Sequence, residues 1–361
     1  MRVYTQNQIR IYNYMFILKP IYKIVDTIKS RKRTYYDFIV NFPSWYKEKT
    51  LRIINYFMDL KYKVTHIKET NFQLGVEHLY RNNLNDAILR LVMVDRFFAP
   101  GDHQANYWLG WTYFLKNNYK KAAYHLQKAN EADITHLGEF IRDYEQLLEV
   151  PSAIERQYRD LIAQYYGNKF LNNNKVHVPY SFVNSTMKQI TDLPDSYSIL
   201  ELGSNVGLVG YEVRKRFPDE FTYTGVENSE RMNKTVTQNY SNTIIYNQLL
   251  DTSIPSFLQS NSSKYDIVLS FCGLTFTKNL YSYFKHIYSI VEKSGYFAFC
   301  LPINQVSGLS LIQKEFIFNV GDIENAIKQT KFTILNATEL YVEKNSKYYM
   351  VVCKKVVQDL E

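Results

Sequence analysis

The sequence predicts two folds in tandem: an all-α region, then a doubly wound α/β sheet that closes on an antiparallel hairpin. Three observations carry this prediction. Apolar and small residues recur at an offset of 35 between Leu74-Gly75 and Leu109-Gly110 and beyond. From residue 197 onward, short runs with strand character alternate with helix-patterned ones. The first of these runs enters a glycine turn, Gly203 to Gly207, and the second ends in a carboxylate, Glu227. Two consecutive strand tips with a tight turn between them lie where open α/β sheets bind ligands.

Residues 1–65 read as a helical extension or cap, with breaks at Pro20 and Pro43. Between Thr50 and Leu60, the residues Leu51, Ile53, Ile54, Phe57 and Met58 fall at helical spacing. Net charge is +8, and residues 1–60 alone hold eleven Lys/Arg against four Asp/Glu, so most of the excess is N-terminal. The cluster Lys29-Ser30-Arg31-Lys32-Arg33 reads first as a solvated helix face. Its alternative is contact with phosphates or an anionic membrane surface, which makes the basic N-terminus a peripheral-membrane candidate. The apolar run Met15-Phe16-Ile17-Leu18 is cut by Lys19-Pro20, and no stretch approaches a membrane span, so neither a leader peptide nor a span is expected. Cys272, Cys300 and Cys353 are widely spaced in apolar, strand-like contexts. They read as buried thiols of a cytoplasmic protein, and no pair has metal-ligand spacing, so no metal is expected.

Residues 66–167 carry the repeat. Ala87 aligns with Ala122 and Leu91 with Leu126 at the same offset of 35 as the glycines. In the second copy Gly110, Tyr113, Ala122, Leu126 and Ala129 occupy positions that resemble the tetratricopeptide repeat. Small residues at 110 and 122 let two antiparallel helices approach, while Trp108, Tyr113 and Leu126 fill the space beside them. Asn82-Asn83 and Asn117-Asn118 mark the turn within each unit. Two copies are few for an independent stack, so helices before 65 and across 135–167 are expected to cap it.

Residues 168–195 read as a polar connector, punctuated by Asn172-Asn173-Asn174 and Asp192-Leu193-Pro194-Asp195. Tyr180-Ser181-Phe182 adds aromatic surface, which makes part of the connector a lid candidate. The α/β domain then spans 196–361. Strands are expected at 197–202, 222–227, 243–247, 265–270, 295–301, 331–337 and 346–354. Helices are expected at 207–217, 229–239, 253–261, 277–292 and 322–329, and the last two strands form a hairpin.

Ile199 to Gly207 resembles the first motif of the class I S-adenosylmethionine-dependent methyltransferases, whose fold is Rossmann-like. Val226-Glu227 resembles their second motif, Tyr265 to Ser270 the fourth-strand motif, and Glu292 to Tyr296 the turn before the fifth strand. The likeness covers roughly 190–357. Glycines 203 and 207 flank Asn205, and no third glycine is placed for a pyrophosphate, which separates the loop from a dinucleotide fingerprint. The resemblance implies S-adenosyl-L-methionine as cofactor, held by the loop residues Gly203, Ser204, Asn205 and Gly207. It implies that Glu201 orients the cofactor's amino end and that Glu227 accepts from both ribose hydroxyls. Asn228 and Met232 are expected at the adenine, and Asp251 is a candidate acceptor for the adenine amino group. Asp251 reads equally well as a helix N-cap before Thr252-Ser253.

Methyl transfer is an in-line displacement that depends largely on alignment, so no strong base is demanded. The segment facing the methyl is Ser270 to Phe276, which lacks the Asn/Asp-Pro-Pro-aromatic tetrad of amino-methylating enzymes. Ser270, Thr275 and Asn304 are the polar candidates on the acceptor side, with Tyr180 and Tyr211 as outliers, and Ser270 is expected to touch the cofactor as well. Cys272 lacks the Pro-Cys context of a nucleophile and reads as a buried thiol. The insertion from Asn304 to Asn319 follows the fifth strand, where substrate-selecting loops are grafted. The favoured acceptor is O or N of a small molecule, with the helical part enclosing the site or pairing two subunits. A protein acceptor gripped by the repeats is the alternative, and a non-catalytic cofactor-binding scaffold is a third reading. The near-neutral α/β domain has no basic stripe, which argues against nucleic acid.

Overall fold

The computed structural model describes residues 44–169, 178–217, 220–240, 244–343 and 346–356. The Lys29–Arg33 cluster, most of the 1–65 extension and Asn172–Asn174 lie outside them. No helix among the described residues is long and apolar enough to cross a membrane.

Helix α1, Ser44–Thr65, leads into two helical hairpins: α2 (Ile67–Tyr80) with α3 (Leu84–Met93), and α4 (His103–Leu115) with α5 (Tyr119–Ala129). The 35-residue offset is visible as packing. A Cβ on Gly75 would lie 2.8 Å from Leu91 Cγ, and one on Gly110 would lie 2.5 Å from Leu126 Cγ. Each hairpin is thus closed by a leucine seated on a glycine. Asn82 and Asn117 turn the chain at φ 61° and 58°, a conformation asparagine tolerates better than most residues. Asp102 caps α4 by accepting from Ala105 N at 2.9 Å. Between the hairpins Asn106 donates to Asp95 at 2.6 Å and meets His125 Nδ1 at 2.8 Å. Burial pushes the His125 imidazole down to about 4, so this histidine is a neutral structural partner. Helices α6 (Leu137–Asp143) and α7 (Ser152–Ile162) complete the region.

Helix α8, Val178–Gln189, occupies the segment read as a connector and candidate lid. It packs on the sheet instead of standing as a polar strap: Phe182 is buried with its ring 5.6 Å from Phe271, and Tyr180 lies beneath the Arg216 guanidinium at 4.4 Å. The polar residues around it concealed the spacing of Val178, Phe182, Val183 and Thr186, its buried face.

The sheet follows: β1 (Tyr197–Leu202), α9 (Leu208–Arg216), β2 (Phe221–Glu227), α10 (Glu230–Asn239), β3 (Gln248–Asp251), α11 (Ile254–Ser260), β4 (Tyr265–Phe271), α12 (Leu280–Ile290) and β5 (Val291–Ile303). A small hairpin, β6 (Gly308–Ser310) and β7 (Glu315–Ile317), precedes α13 (Val320–Gln329), β8 (Phe332–Glu343) and β9 (Ser346–Lys355). The strand order is β3-β2-β1-β4-β5-β9-β8. Strands β1 to β5 pair in parallel, whereas β9 is antiparallel to both β5 and β8. The strand order reverses between β1 and β4, which makes their carboxyl ends the switch point. Strand periodicity sorts neighbouring residues to opposite faces: Ile199 and Ala298 meet α8, α9 and α10, while Leu200, Phe297 and Phe299 meet α11, α12 and α13.

Strand β3 begins later than 243–247. Ile245 and Tyr246 are buried because they fill the space left by Gly210 and Gly225, where a Cβ would meet Tyr246 atoms at 2.6 and 3.0 Å. Their apolar character reflects that plug, and pairing starts only at Gln248.

Candidate active site

The turn after β1 needs its glycines for two reasons. Gly203 and Gly207 have φ of 77° and 78°, where a side chain is strained. In addition, a Cβ on Gly203 would lie 2.5 Å from Gly273 Cα, and one on Gly273 would lie 2.0 Å from Leu202 O. The loops after β1 and β4 therefore touch backbone to backbone. Gly203 N and Ser204 N both donate to Val226 O, at 2.9 and 3.0 Å, which ties the turn to β2. Asn205, at φ 50°, fastens all three strand ends. Its Nδ2 donates to Gly203 O at 2.6 Å and Phe271 O at 3.1 Å, and its backbone N donates to Glu227 at 3.0 Å. Ser270 Oγ donates to Leu202 O at 3.1 Å from the β4 side.

Glu227 is buried at the tip of β2. One carboxylate oxygen accepts from Ser229 N at 2.9 Å; the other accepts from Asn205 N and from the Arg159 guanidinium at 3.4 Å. Arg159 comes from α7, far back in the chain. It also donates to Asn205 Oδ1 at 2.5 Å and to Glu155 at 2.9 Å. Burial works against the Arg159 charge, but Glu227 and Glu155 outweigh it and hold the guanidinium firmly protonated. Burial pushes the Glu155 carboxyl up; Arg159 pulls it back and Glu227 pushes it up again, leaving it raised. Helix α7 is anchored further where Asp160 accepts from Ser229 Oγ at 2.6 Å. Before it, Val150 N donates to Phe276 O at 2.7 Å. The helical region thus lies across the carboxyl ends of β1, β2 and β4.

The remaining expected residues separate. Glu201 is buried beneath the tyrosine hydroxyls of Tyr223 and Tyr246, which donate to it at 2.5 and 2.8 Å. Burial raises its carboxyl to about 8 against the pull of those two bonds, so at neutral pH it is largely protonated. Met232 is fully buried within the core between α10 and the sheet. Asn228 donates to Glu155 at 3.4 Å, beside the Arg159 cluster. Asp251 pairs in register with Glu227 on the neighbouring strand and faces Arg156 at 3.8 Å. It does not cap α11; Ser253 does, accepting from Ser256 N at 3.3 Å. Asn304 does not join the site: it is exposed, and its backbone N donates to Phe318 O at 2.8 Å. Tyr211 stacks on Tyr240 at 4.8 Å beneath the end of the loop, where its backbone N donates to Gly207 O at 3.0 Å and a Cβ on Gly207 would lie 3.3 Å from the Tyr240 ring. Cys272 is buried at φ 54°, its N donating to Cys300 O at 2.9 Å.

A small cavity of about 50 Å³ lies between α7, the loop after β4 and the β6–β7 hairpin. Glu155, Tyr158, Arg159, Tyr166, Thr275 and Glu315 are among its walls. Thr275 is buried there, with its hydroxyl donating to Cys272 O at 3.1 Å. Sequence reasoning missed Arg159 and Glu155. The available signal was an oppositely charged pair four residues apart on the face of α7 that also carries Ile154, Tyr158 and Ile162.

A sequence model of the methyltransferase domain matches residues 200–299, which contain the loop, Glu227 and β4. The chain carries a methyltransferase domain. Its order of strands, with an antiparallel β9 inserted between β5 and β8, is that of the class I S-adenosylmethionine-dependent fold expected from the motifs. The donor set at these strand ends fits S-adenosylmethionine, the cofactor that the motifs imply. The α/β domain offers a buried carboxylate at the second strand tip and a glycine turn beside it, and α7 of the helical region adds a guanidinium within reach of both.

Among solved structures, the chain is similar to magnesium protoporphyrin IX methyltransferase from Synechocystis PCC 6803 with bound SAH. The two are 14% identical over 56% of this chain and 98% of that one, with a TM-score of 0.44. It is also similar to TehB from Haemophilus influenzae, at 16% identity, 54% and 67% coverage and a TM-score of 0.39. A putative sarcosine dimethylglycine methyltransferase from Galdieria sulphuraria is 11% identical over 49% and 85% of the chains, with a TM-score of 0.39. No curated protein sequence matches the chain.

Proposed function

We propose that the protein transfers a methyl group from S-adenosylmethionine to an oxygen or nitrogen of a small molecule. The observation that carries this reading is the buried Glu227 carboxylate beside the Gly203 turn, inside the segment that matches the methyltransferase domain. In this reading Glu227 accepts the ribose hydroxyls, each charge-assisted bond contributing roughly 1.5–3 kcal/mol. Gly203, Ser204, Asn205 and Gly207 form the bed of the cofactor, and Asn228 and Asp251 lie along the adenine side. Arg159 now shares Glu227 with the Asn205 amide, so the ribose competes with it for that carboxylate. The guanidinium is then the cation at hand for the methionine carboxylate. The bound cofactor supplies an electrophilic sulfonium methyl.

Ser270 holds the β1 turn through Leu202 O and acts as a positioning residue. Thr275 is the polar side chain of the β4 loop that lines the cavity, which makes it the candidate to orient the acceptor. Glu201, held by two tyrosine hydroxyls, supports the strand beneath the loop. We read the two helical hairpins as tetratricopeptide-like units on the strength of their offset and their glycine–leucine contacts. Their part here is to wall the acceptor side. The cavity beside Thr275 is closed by α7 and by Phe114 and Phe140 of the helical region, and that enclosure favours a small acceptor over an extended peptide.

Two measurements test the reading. Calorimetry with S-adenosylhomocysteine should give one saturable site, and Glu227→Ala should weaken it by more than about tenfold. Formation of S-adenosylhomocysteine in the presence of small phenols, acids and amines should then appear with at least one acceptor class. A parent protein that takes up no S-adenosylhomocysteine would remove this function.

A further inference from the structure

A second cavity of about 430 Å³ lies where the ends of α2 and α4 and the turn after α7 face the loop between β6 and β7. This volume falls within the usual range for small-molecule sites, about 300–1,000 Å³. It shares Tyr158, Ile162, Tyr166 and Lys314 with the small cavity, and that one reaches Thr275 and Arg159. The two are therefore adjacent chambers along one wall, the wider one toward the helical hairpins.

We propose that the wider chamber admits the methyl acceptor and selects for a compact aromatic molecule carrying a negative group, with Lys314 as the residue that reads that charge. The proposal rests on the methyltransferase reading and adds the substrate class. Lys314 is the charged side chain in the lining of the wide chamber. Its ammonium donates to Asn117 Oδ1 at 2.7 Å and to the carbonyl oxygens of Leu311 and Ile312 at 3.3 Å, all of them neutral. No ion pair among the described residues includes it. A cation taken partly out of water and met only by neutral dipoles favours an incoming anion, because the field of its charge is poorly compensated. Burial accordingly holds its amine down to about 8. It also stands 5.0 Å from the centre of the Phe114 ring.

The position of Lys314 is set by the backbone. It adopts φ 61°, its N donates to Ser310 O at 2.6 Å, and the same turn docks onto the helical region twice. Tyr119 donates to Leu311 O at 2.8 Å and Tyr158 to Gln313 O at 3.4 Å. The rest of the chamber is aromatic and aliphatic: Tyr158, Tyr165 and Tyr166, with Leu115 and Ile162. Burial raises all three phenols, so they stay neutral and offer ring faces and hydroxyl donors without repelling an anion.

The test uses the purified full chain and two fluorescent probes that share a ring system, anilinonaphthalene sulfonate and the uncharged phenylnaphthylamine. The parent should bind the sulfonate at one site and more tightly than the uncharged probe. Lys314→Met should weaken the sulfonate on the order of tenfold while leaving the uncharged probe within about twofold. Lys314→Arg should retain the preference. Should the Met variant lose its native circular dichroism, Lys314→Gln, which keeps a donor, carries the same expectation. Equal weakening of both probes, unchanged sulfonate binding in the neutral variants, or no binding by the parent would overturn the proposal. Calorimetry with S-adenosylhomocysteine on the parent and variants separates this result from the function itself. Loss of that binding in the parent sinks the methyltransferase reading, whereas loss of the sulfonate preference alone sinks only the anion-reading chamber.

Discussion

Removing Arg159 should be among the most damaging single changes outside the apolar core. Its side chain is 8% exposed and faces Glu155, 12% exposed, and Glu227, 1% exposed. Arg159→Met keeps much of the aliphatic volume but deletes bonds to Glu155, Asn205 and Glu227. Two buried carboxylates are then left facing one another without a counter-charge. Breaking a buried pair by removing one partner typically costs about 3–5 kcal/mol. The Glu155 carboxyl, already raised, can neutralise part of this by taking a proton, so the lower end of that range is the better expectation. Even about 3 kcal/mol is a large share of a typical net stability of roughly 5–15 kcal/mol. Urea unfolding at neutral pH measures the loss. The double variant Arg159→Met/Glu155→Leu should recover part of it, because it removes one of the stranded carboxylates along with their shared cation. A single-variant loss below about 1 kcal/mol, or strictly additive losses in the double variant, would refute this account of the cluster.

Three further outcomes follow from the same geometry. Gly273→Ala should block the contact between the β1 and β4 loops, since its Cβ would lie 2.0 Å from Leu202 O; both folding stability and S-adenosylhomocysteine affinity should fall, and normal binding by calorimetry would contradict the contact. The raised Glu201 carboxyl makes stability fall as pH rises. The unfolded chain releases this proton near pH 4.3, whereas the folded chain keeps it to about 8, so the contribution is fully present at low pH and lost across that window. Glu201→Gln should flatten that slope in urea titrations across the window, and an unchanged slope would assign the pH dependence elsewhere. Cys272→Ser should keep cofactor binding and measurable turnover, because Cys272 is a buried residue in a strained loop and serine is close to it in size; complete loss of turnover with intact binding would give the thiol a chemical role.

Much of the sheet was legible because its determinants are local. The apolar runs of β1, β2 and β4, the glycines of the first turn and Glu227 at a strand tip each announce themselves within a few residues. The helical hairpins were legible for a similar reason, since glycine and leucine recur at a fixed offset and meet in space. The misreadings arose where long-range packing decides. Ile245 and Tyr246 imitate a strand because they fill the gaps over Gly210 and Gly225. Helix α8 looked like a connector because its polar face outnumbers its buried one. Arg159 was invisible as a site residue because its partners Asn205 and Glu227 lie 46 and 68 positions further along the chain. Asn304 illustrates the converse: a polar residue after β5 in the right region of sequence, yet exposed and turned to the hairpin backbone.

A calorimetric titration of the full chain with S-adenosylhomocysteine probes the central proposition with the fewest intermediaries, because it asks whether a nucleoside settles between the β1 turn and the β2 carboxylate. Binding at a single site in the parent, with heat nearly abolished in Glu227→Ala while the variant keeps its native circular dichroism, is the predicted result. A parent that gives no heat of binding, or a variant that binds as tightly as the parent, would contradict it.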